Sequence, residues 1–498
     1  MAAYTFTTND RKIYERKLHG FEALCNTYAL HDFLLAFTGS AEVQLKEQSG
    51  TPVSQDTFSS CLRTAWIVLR HRVPAVALRT TYEPEDASWT VSYDVPAGLD
   101  DIDTWVGQTL VWRETKIDCL EHDLDEKWEF THGEYPLRLT ASPVEVSAGR
   151  YMLSLSGPHG MLDGRMSMIL LNELVGLLND QIREAAPVDL TAIKWGEETA
   201  RLASTGAVLT GLDMDNIPEP AATEGEEFVP FLPPSVENKV RTHNVTMRLV
   251  VFDEAQTSAL RQKCREHDTT ITVAMDAIFT LAHSEAVLAS ASAIGGTHYS
   301  ATIEAYLKAK QVFMPLSCKD QGKLTDAFKR PCWASSTSIN HPNGTTLFGV
   351  DGFPLQTKMD TIRKAIGFSV DTKSFKPCDE QFIWGSIVKN MAAAHATPQK
   401  DLSGFHPSLM MVRVPIASSI GNLEMLGLFS KNTSSFAQVH RVLFRARVSG
   451  PTMTNLYWQF DDKLHCSLLA SAEWNSPSEM DDMEKALRKW FDIALGMK

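Results

Sequence analysis

The segment Ser156–Gly164, which reads SGPHGMLDG, sets an imidazole, His159, four residues before a carboxylate, Asp163. Imidazole titrates near pH ~6.5, so it can take a proton from an attacking hydroxyl or amine at neutral pH. Asp163, read alone, is a carboxylate placed to orient such a base. Gly157, Gly160 and Gly164 surround the pair. They are expected to take positive φ in the turn and to let a substrate approach the backbone. Two plainer fates compete for His159: a structural histidine capping a turn, and a metal ligand. Metal-binding His and carboxylate four apart normally share a helix face, and Gly157, Pro158 and Gly160 oppose a helix here. Nucleophile and nucleotide motifs are absent: no G-x-S-x-G elbow, no C-x-x-C, no G-x-G-x-x-G and no phosphate loop.

The flanking sequence predicts the elements that hold this turn. Tyr151–Leu155 is strand-like, and Met166–Leu178 is helical, with Met166, Ile169, Leu170, Leu174, Leu177 and Leu178 on one face. Upstream, the spacing predicts a helix over Phe58–Leu69 and strands over Ala75–Tyr82, Thr90–Val95 and Leu137–Thr140. That order suits a mixed sheet with helices on one side. Prolines 187, 218, 220, 230, 233 and 234, with the acidic run Glu224–Glu227, break the rhythm and mark an extended connection. The second part restarts with a strand at Val245–Phe252, Asp253 as an N-cap, and helices through Cys264 and over Thr269–Val287. A hairpin over Thr454–Gln459 and Lys463–Ala470, turned by Asp461-Asp462, and a helix over Ser478–Met497 complete it. Two halves follow, 1–186 and 241–498, joined by a crossover over 187–240.

Length and composition agree with that division. A chain of 498 residues exceeds one ordinary core, and two domains of roughly 190–260 residues are expected. The apolar share of 44% and charged share of 22% are those of a globular protein. The formal charge of −14, without a basic stripe, argues against nucleic acid and anionic membranes as partners. No run of 18 apolar residues and no N-terminal apolar region stand out, so neither a membrane span nor a secretory signal is expected. Eight scattered cysteines read as reduced thiols of a cytoplasmic protein, here taken as a monomer.

His159-Gly-Met-Leu-Asp163-Gly164, with its strand before and helix after, resembles the HxxxDG signature of the CoA-dependent acyltransferase superfamily. That group holds the condensation domains of nonribosomal peptide synthetases, the BAHD-type acyltransferases and the trichothecene O-acetyltransferases. The likeness extends along nearly the whole chain, in two halves with a long crossover. It implies an α/β fold of two chloramphenicol-acetyltransferase-like halves, each a mixed sheet flanked by helices, with the active site in a tunnel between them.

The resemblance also implies a reaction. His159 would deprotonate a hydroxyl lined up against a thioester carbonyl, with acetyl-CoA or another acyl-CoA as co-substrate and no tightly bound cofactor or metal. The acceptor would be a small secondary metabolite. Asp163 would point away from the reaction and pair with a basic side chain of the second half. The family's usual arginine is missing from the matching stretch Phe313–Lys319, which leaves Lys319 as the candidate. Pro158 replaces the first histidine of the HHxxxDG form, and the DFGWG segment of plant members is absent. Ala417–Asn422, ASSIGN, resembles the S-N-x-G element of condensation domains. Ser418, Ser419 and Gly421, with Gly164, are therefore candidates to bind substrate or the oxyanion. A serine-rich turn satisfying its own backbone is the plain alternative. Two further readings of the fold stand beside the first: a condensation-like protein using a carrier-protein thioester, and a non-acylating relative that binds and cyclises an intermediate.

Overall fold

A computed structural model of the chain describes residues 2–18, 21–30, 35–85, 88–115, 127–184, 188–205, 208, 245–266, 270–308, 311–317, 334–340, 415–429, 436–448, 453–472 and 474–497. The first half contains β1 (Ile13–Lys17), α1 (Phe21–Ala29), β2 (Ala36–Leu45), α2 (Gln55–Arg72), β3 (Arg79–Glu83) and β4 (Ser88–Asp94). It continues with α3 (Leu99–Thr109), β5 (Leu110–Trp112), β6 (His132–Glu134), β7 (Arg138–Glu145), β8 (Arg150–Pro158) and α4 (Gly164–Glu184). The second part contains β9 (Val245–Phe252), α5 (Glu254–Glu266), α6 (Ile271–Ile294), α7 (Gly296–Lys308), β10 (Gln311–Ser317) and β11 (Ala334–Asn340). Then come β12 (Pro415–Asn422), β13 (Ala437–Ala446), β14 (Met453–Phe460), β15 (Lys463–Ser471) and α8 (Pro477–Leu495).

Local chemistry explains most of these boundaries. Ser54 opens α2 by accepting the Thr57 N–H. Asp253 and Gln256 cap α5 reciprocally: Asp253 Oδ1 accepts from Gln256 N at 2.8 Å, and Gln256 Oε1 accepts from Asp253 N at 3.1 Å. Ser476 and Glu479 do the same for α8, whose first residue is Pro477 and whose end is Gly496. Asp461 and Asp462, both at positive φ, make the two-residue hairpin turn between β14 and β15. The strand expected over Ala75–Tyr82 is corrected: Pro74–Ala77 form a 3₁₀ turn, and β3 starts only at Arg79. The Val73 N–H is spent on the Leu69 carbonyl and Pro74 has none to give, so the chain turns once more before extending.

The first half holds two sheets where one was expected. β3 and β4 form a hairpin within a four-stranded sheet of order β1-β4-β3-β6, apart from β7 and β8. The other sheet has the order β13-β2-β8-β7-β5, with only β5 and β7 parallel. Strand β13 belongs in sequence to the second half, yet it pairs antiparallel with β2 from Ala437 opposite Leu45 to Ala446 opposite Phe37. The division points 186 and 240 lie outside the described residues. Residues 188–205, at the start of the expected crossover, pack on the first half, where buried Glu198 accepts from the Tyr93 hydroxyl at 2.8 Å.

The sheet of the second half has the order β11-β10-β12-β14-β15-β9, with β12 parallel to both β10 and β14. Helices α6 and α8 pack together against it, burying Met275, Ile278, Phe279 and Leu281 with Met483, Leu487, Trp490 and Phe491. The stretch Ala274–Ile294 of α6 is long and apolar enough to cross a membrane by length and composition, contrary to expectation. Few charges interrupt it, but 59% of it is buried, mostly in this core. In the first half, α4 buries Met166, Leu170, Leu171, Leu174 and Leu178. It comes close to β2 because Gly39 leaves room for Ser167; a Cβ there would collide with that side chain.

Candidate active site

His159 follows directly on β8. Its backbone N–H donates to the Leu35 carbonyl at 3.0 Å, which carries the β2–β8 ladder one residue past the strand. The chain then closes one helical turn: Met161 N and Leu162 N donate to the Pro158 carbonyl at 2.8 and 3.1 Å. Within that turn His159 Nδ1 lies 2.9 Å from the Leu162 carbonyl oxygen. A carbonyl only accepts, so Nδ1 carries the proton and Nε2 is the basic nitrogen of the neutral ring. The imidazole is half-buried and stacks on Phe37 of β2, with ring centroids 5.3 Å apart. Ring orientation and tautomer are thus set by a backbone carbonyl and an aromatic face.

Asp163 does a different task. Its Oδ1 accepts the Met166 N–H at 2.7 Å, and its carbonyl accepts the first helical bond of α4 from Ser167 at 2.9 Å. It is the N-cap of α4 and is 6% exposed. The nitrogen that a triad aspartate would hold, His159 Nδ1, is held by Leu162. Lys319, expected as the partner of Asp163, lies outside the described residues.

The glycines of the loop are needed for close packing and not for φ. None of Gly157, Gly160 and Gly164 has positive φ, which corrects the expectation. A Cβ on Gly160 would collide with the Glu22 carbonyl of α1, and one on Gly157 with Leu137. A Cβ on Gly164 would strike Ile420 of β12 and come within 3.2 Å of Phe37. The room expected for substrate is filled by the protein itself.

Ile420 joins the loop to the second half. The β12–β14 register slips between Ser419 and Gly421, so Ile420 is the extra residue of a β-bulge, and Gly421 takes φ +101°. Ile420 and Arg165 also wall a cavity of about 490 Å³. Ser419, Gly421 and Asn422 of β12 line it, as do Thr270 and Thr272 at the start of α6 and Arg261 of α5. Gly164, Ser419 and Gly421, three of the residues singled out for substrate or oxyanion, are therefore brought to one region. Ser418, Gly164 and His159 are not part of that wall; Gly164 meets it through Ile420. Arg261 Nε and Nη2 donate to Gln459 Oε1 at 3.0 and 2.8 Å, so its guanidinium is held at the rim.

Behind the cavity lies a hydroxyl cluster. Tyr457 of β14 lines the cavity, and its hydroxyl is 2.6 Å from Asp276 Oδ1 and 3.1 Å from the Thr272 carbonyl oxygen. Ser419 Oγ is 3.1 Å from Thr272 Oγ1. Burial pushes the Asp276 carboxyl up to about 8 and raises the Tyr457 phenol far above its ordinary range.

Sequence reasoning missed Phe37, Ile420 and Asp276. The first two carry no chemistry of their own and meet the loop only through the fold. Asp276 had a signal: it is the lone charge in the apolar run Ile271–Ala282.

No family model and no curated protein matches the sequence. Solved structures match it over almost its whole length. The trichothecene 15-O-acetyltransferase of Fusarium sporotrichioides aligns with a TM-score of 0.74 and 12% identity, covering 99% of this chain and 98% of its own. The epimerization domain from the third module of tyrocidine synthetase B aligns with a TM-score of 0.54 and 10% identity, covering 98% of each chain. The first condensation domain of the calcium-dependent antibiotic synthetase gives 0.51 and 12%, over 96% of this chain and 95% of its own. At such identities the likeness is one of fold. The chain has the two-lobed α/β fold of condensation and chloramphenicol-acetyltransferase-like proteins.

Proposed function

We propose that the protein is an acyltransferase that moves an acyl group, acetyl in the first instance, from CoA to a hydroxyl of a small metabolite. The observation that carries this reading is the His159 ring, with Nδ1 on the Leu162 carbonyl and its face stacked on Phe37, which leaves Nε2 as the nitrogen to take a proton from the acceptor. The shared fold with a trichothecene 15-O-acetyltransferase supports it.

In the proposed reaction Nε2 takes the proton of the acceptor hydroxyl, and the oxygen attacks the thioester carbonyl. The tetrahedral intermediate then collapses, the carbon–sulfur bond breaks, and the leaving thiolate takes the proton back from the imidazolium. Holding both reactants against one base contributes up to ~7–11 kcal/mol in well-oriented systems. Of the four residues singled out, Ser419 and Gly421 remain the candidates to meet the substrate or the developing oxyanion, since Gly164 is packed on Ile420 and Ser418 is off the cavity wall.

Two features favour a free thioester over a carrier-bound one. Arg165 and Arg261 stand at the cavity, as the phosphates of CoA require. The formal charge of −14 opposes docking of an acidic carrier protein, which needs a broad basic surface.

The test is release of free thiol from acetyl-CoA in the presence of hydroxylated metabolites, with wild type and His159→Ala side by side. The variant is expected to lose about 10²–10⁴ in turnover with its circular dichroism unchanged. Near-native turnover would remove His159 from the chemistry. A preference of about tenfold or more for the same acyl group on a carrier protein would replace CoA as donor, one such factor being only about 1.4 kcal/mol.

A further inference from the structure

The Tyr457 hydroxyl has one proton, yet Asp276 Oδ1 stands 2.6 Å from it and the Thr272 carbonyl oxygen 3.1 Å. Asp276 is 4% exposed, and its Oδ2 is buried with no hydrogen-bond partner among the described residues. None of the ion pairs formed among the described residues includes Asp276. An ionised carboxyl here would be desolvated, unpaired and left with a bare charged oxygen. A neutral acid removes the conflict. With its proton on Oδ1 it donates to the Tyr457 oxygen, and the Tyr457 proton then goes to the Thr272 carbonyl.

We propose that Asp276 is a positioning residue for the cavity: standing neutral, it pins the Tyr457 hydroxyl on the Thr272 backbone and so fixes the Ser419 and Thr272 hydroxyls toward the bound thioester. Ser419 lies opposite Tyr457 in the β12–β14 register and 3.1 Å from Thr272 Oγ1, which links the two hydroxyls to the Tyr457–Asp276 pair. The occupant named here rests on the acyl-CoA reading above; the protonation state does not. Ionised, Asp276 would take the tyrosine proton for itself and release the Thr272 carbonyl. It would also set a negative charge behind the wall that a phosphorylated ligand meets.

Among the described residues, buried His283 stands two turns along α6 from Asp276, and the groups on the other elements leave this titration to Asp276. On β14 and β15, Tyr457 and Cys466 are pushed up by burial and stay neutral, the thiol to about 12. From α5, Arg261 is held by Gln459 and lies 3.8 Å from Asp462, and α7 carries His298 in its first turn. Helix α8 meets α6 through Lys489 on Glu285 and Glu479 on Ser290, both more than two turns from Asp276.

CoA binding by calorimetry is the first arm of the test, on wild type, Asp276→Asn and Asp276→Leu. The amide mimics a neutral acid, so Asp276→Asn is expected within about twofold of wild type and Asp276→Leu about tenfold weaker, at unchanged circular dichroism. The KM for acetyl-CoA should follow, with kcat little altered. Wild-type affinity should fall from about pH 7 to about pH 9, across the value near 8, and that of Asp276→Asn should not. Wild-type binding by Asp276→Leu, or equal losses in both variants, overturns the proposal. The second arm is the infrared difference spectrum of wild type against Asp276→Asn at neutral pH. The carbonyl stretch of a protonated carboxylic acid supports the proposal, and its absence sinks it whatever CoA does. If CoA binds to no form, wild type included, the acyl-CoA reading fails while the infrared arm still decides the state of Asp276.

Discussion

Asp163 carries two readings that one pair of variants separates. Its carboxylate caps α4 through the Met166 N–H, a bond that any side-chain oxygen at this position can make. Asp163→Ala is therefore expected to lower stability by about 0.5–2 kcal/mol, and Asp163→Asn to recover most of it. Urea unfolding of the three proteins is the measurement. An asparagine variant as unstable as the alanine one would show that the loop needs the charge, as pairing with a basic side chain of the second half requires. His159 and Asp163 could be found in the sequence because one contiguous loop holds both. Phe37 and Ile420 could not, because each owes its role to a neighbour far away in the chain, while Asp276 was marked only as a lone charge in an apolar run. The expected role of the loop glycines failed for the same reason: their neighbours are Glu22, Leu137 and Ile420, which no local spacing reveals.

At the scale of elements, the bulge in β12 sets the distance between the two halves of the site. Ile420 fills the space that Gly164 leaves open, so the loop and the strand are fitted to each other by one missing methyl group. Gly164→Ala is expected to cost about 1–3 kcal/mol by overpacking and to lower turnover with it. Adding Ile420→Ala should recover both in part, and a melting curve with a thiol-release assay reads the two together. If the single variant melts and turns over like wild type, the contact is slack and the fit is not what places the loop. The elements themselves were largely readable, since α4, α5, α8 and the β14–β15 hairpin announce themselves by capping residues, apolar period and turn chemistry. Sheet membership was not. Alternation in β3 and β4 says that each has a buried face, not which sheet that face belongs to.

The whole molecule is held together by β13, a strand from the second half laid along the edge of the first-half sheet. Phe444 on that strand packs on Phe37, with centroids 6.2 Å apart, and edge-on to Trp458 of β14 at 4.9 Å, so one ring ties both sheets. Two consequences are measurable. Calorimetry should show the halves unfolding in one transition, and Phe444→Ala should destabilise that transition by about 3–5 kcal/mol. Two resolved transitions, one unmoved by the substitution, would mean that the halves stand independently. The same strand has a consequence in time. β2 (AFTGSAEVQL), buried along nearly all its length, has a single charged side chain and no proline to guard its outer edge. Its partner leaves the ribosome some 390 residues later, on the order of 20–80 s at ordinary elongation rates. Throughout that interval the nascent first half presents an open, apolar strand edge, so the hazard of self-association falls on synthesis and ends only when the second half delivers its strand.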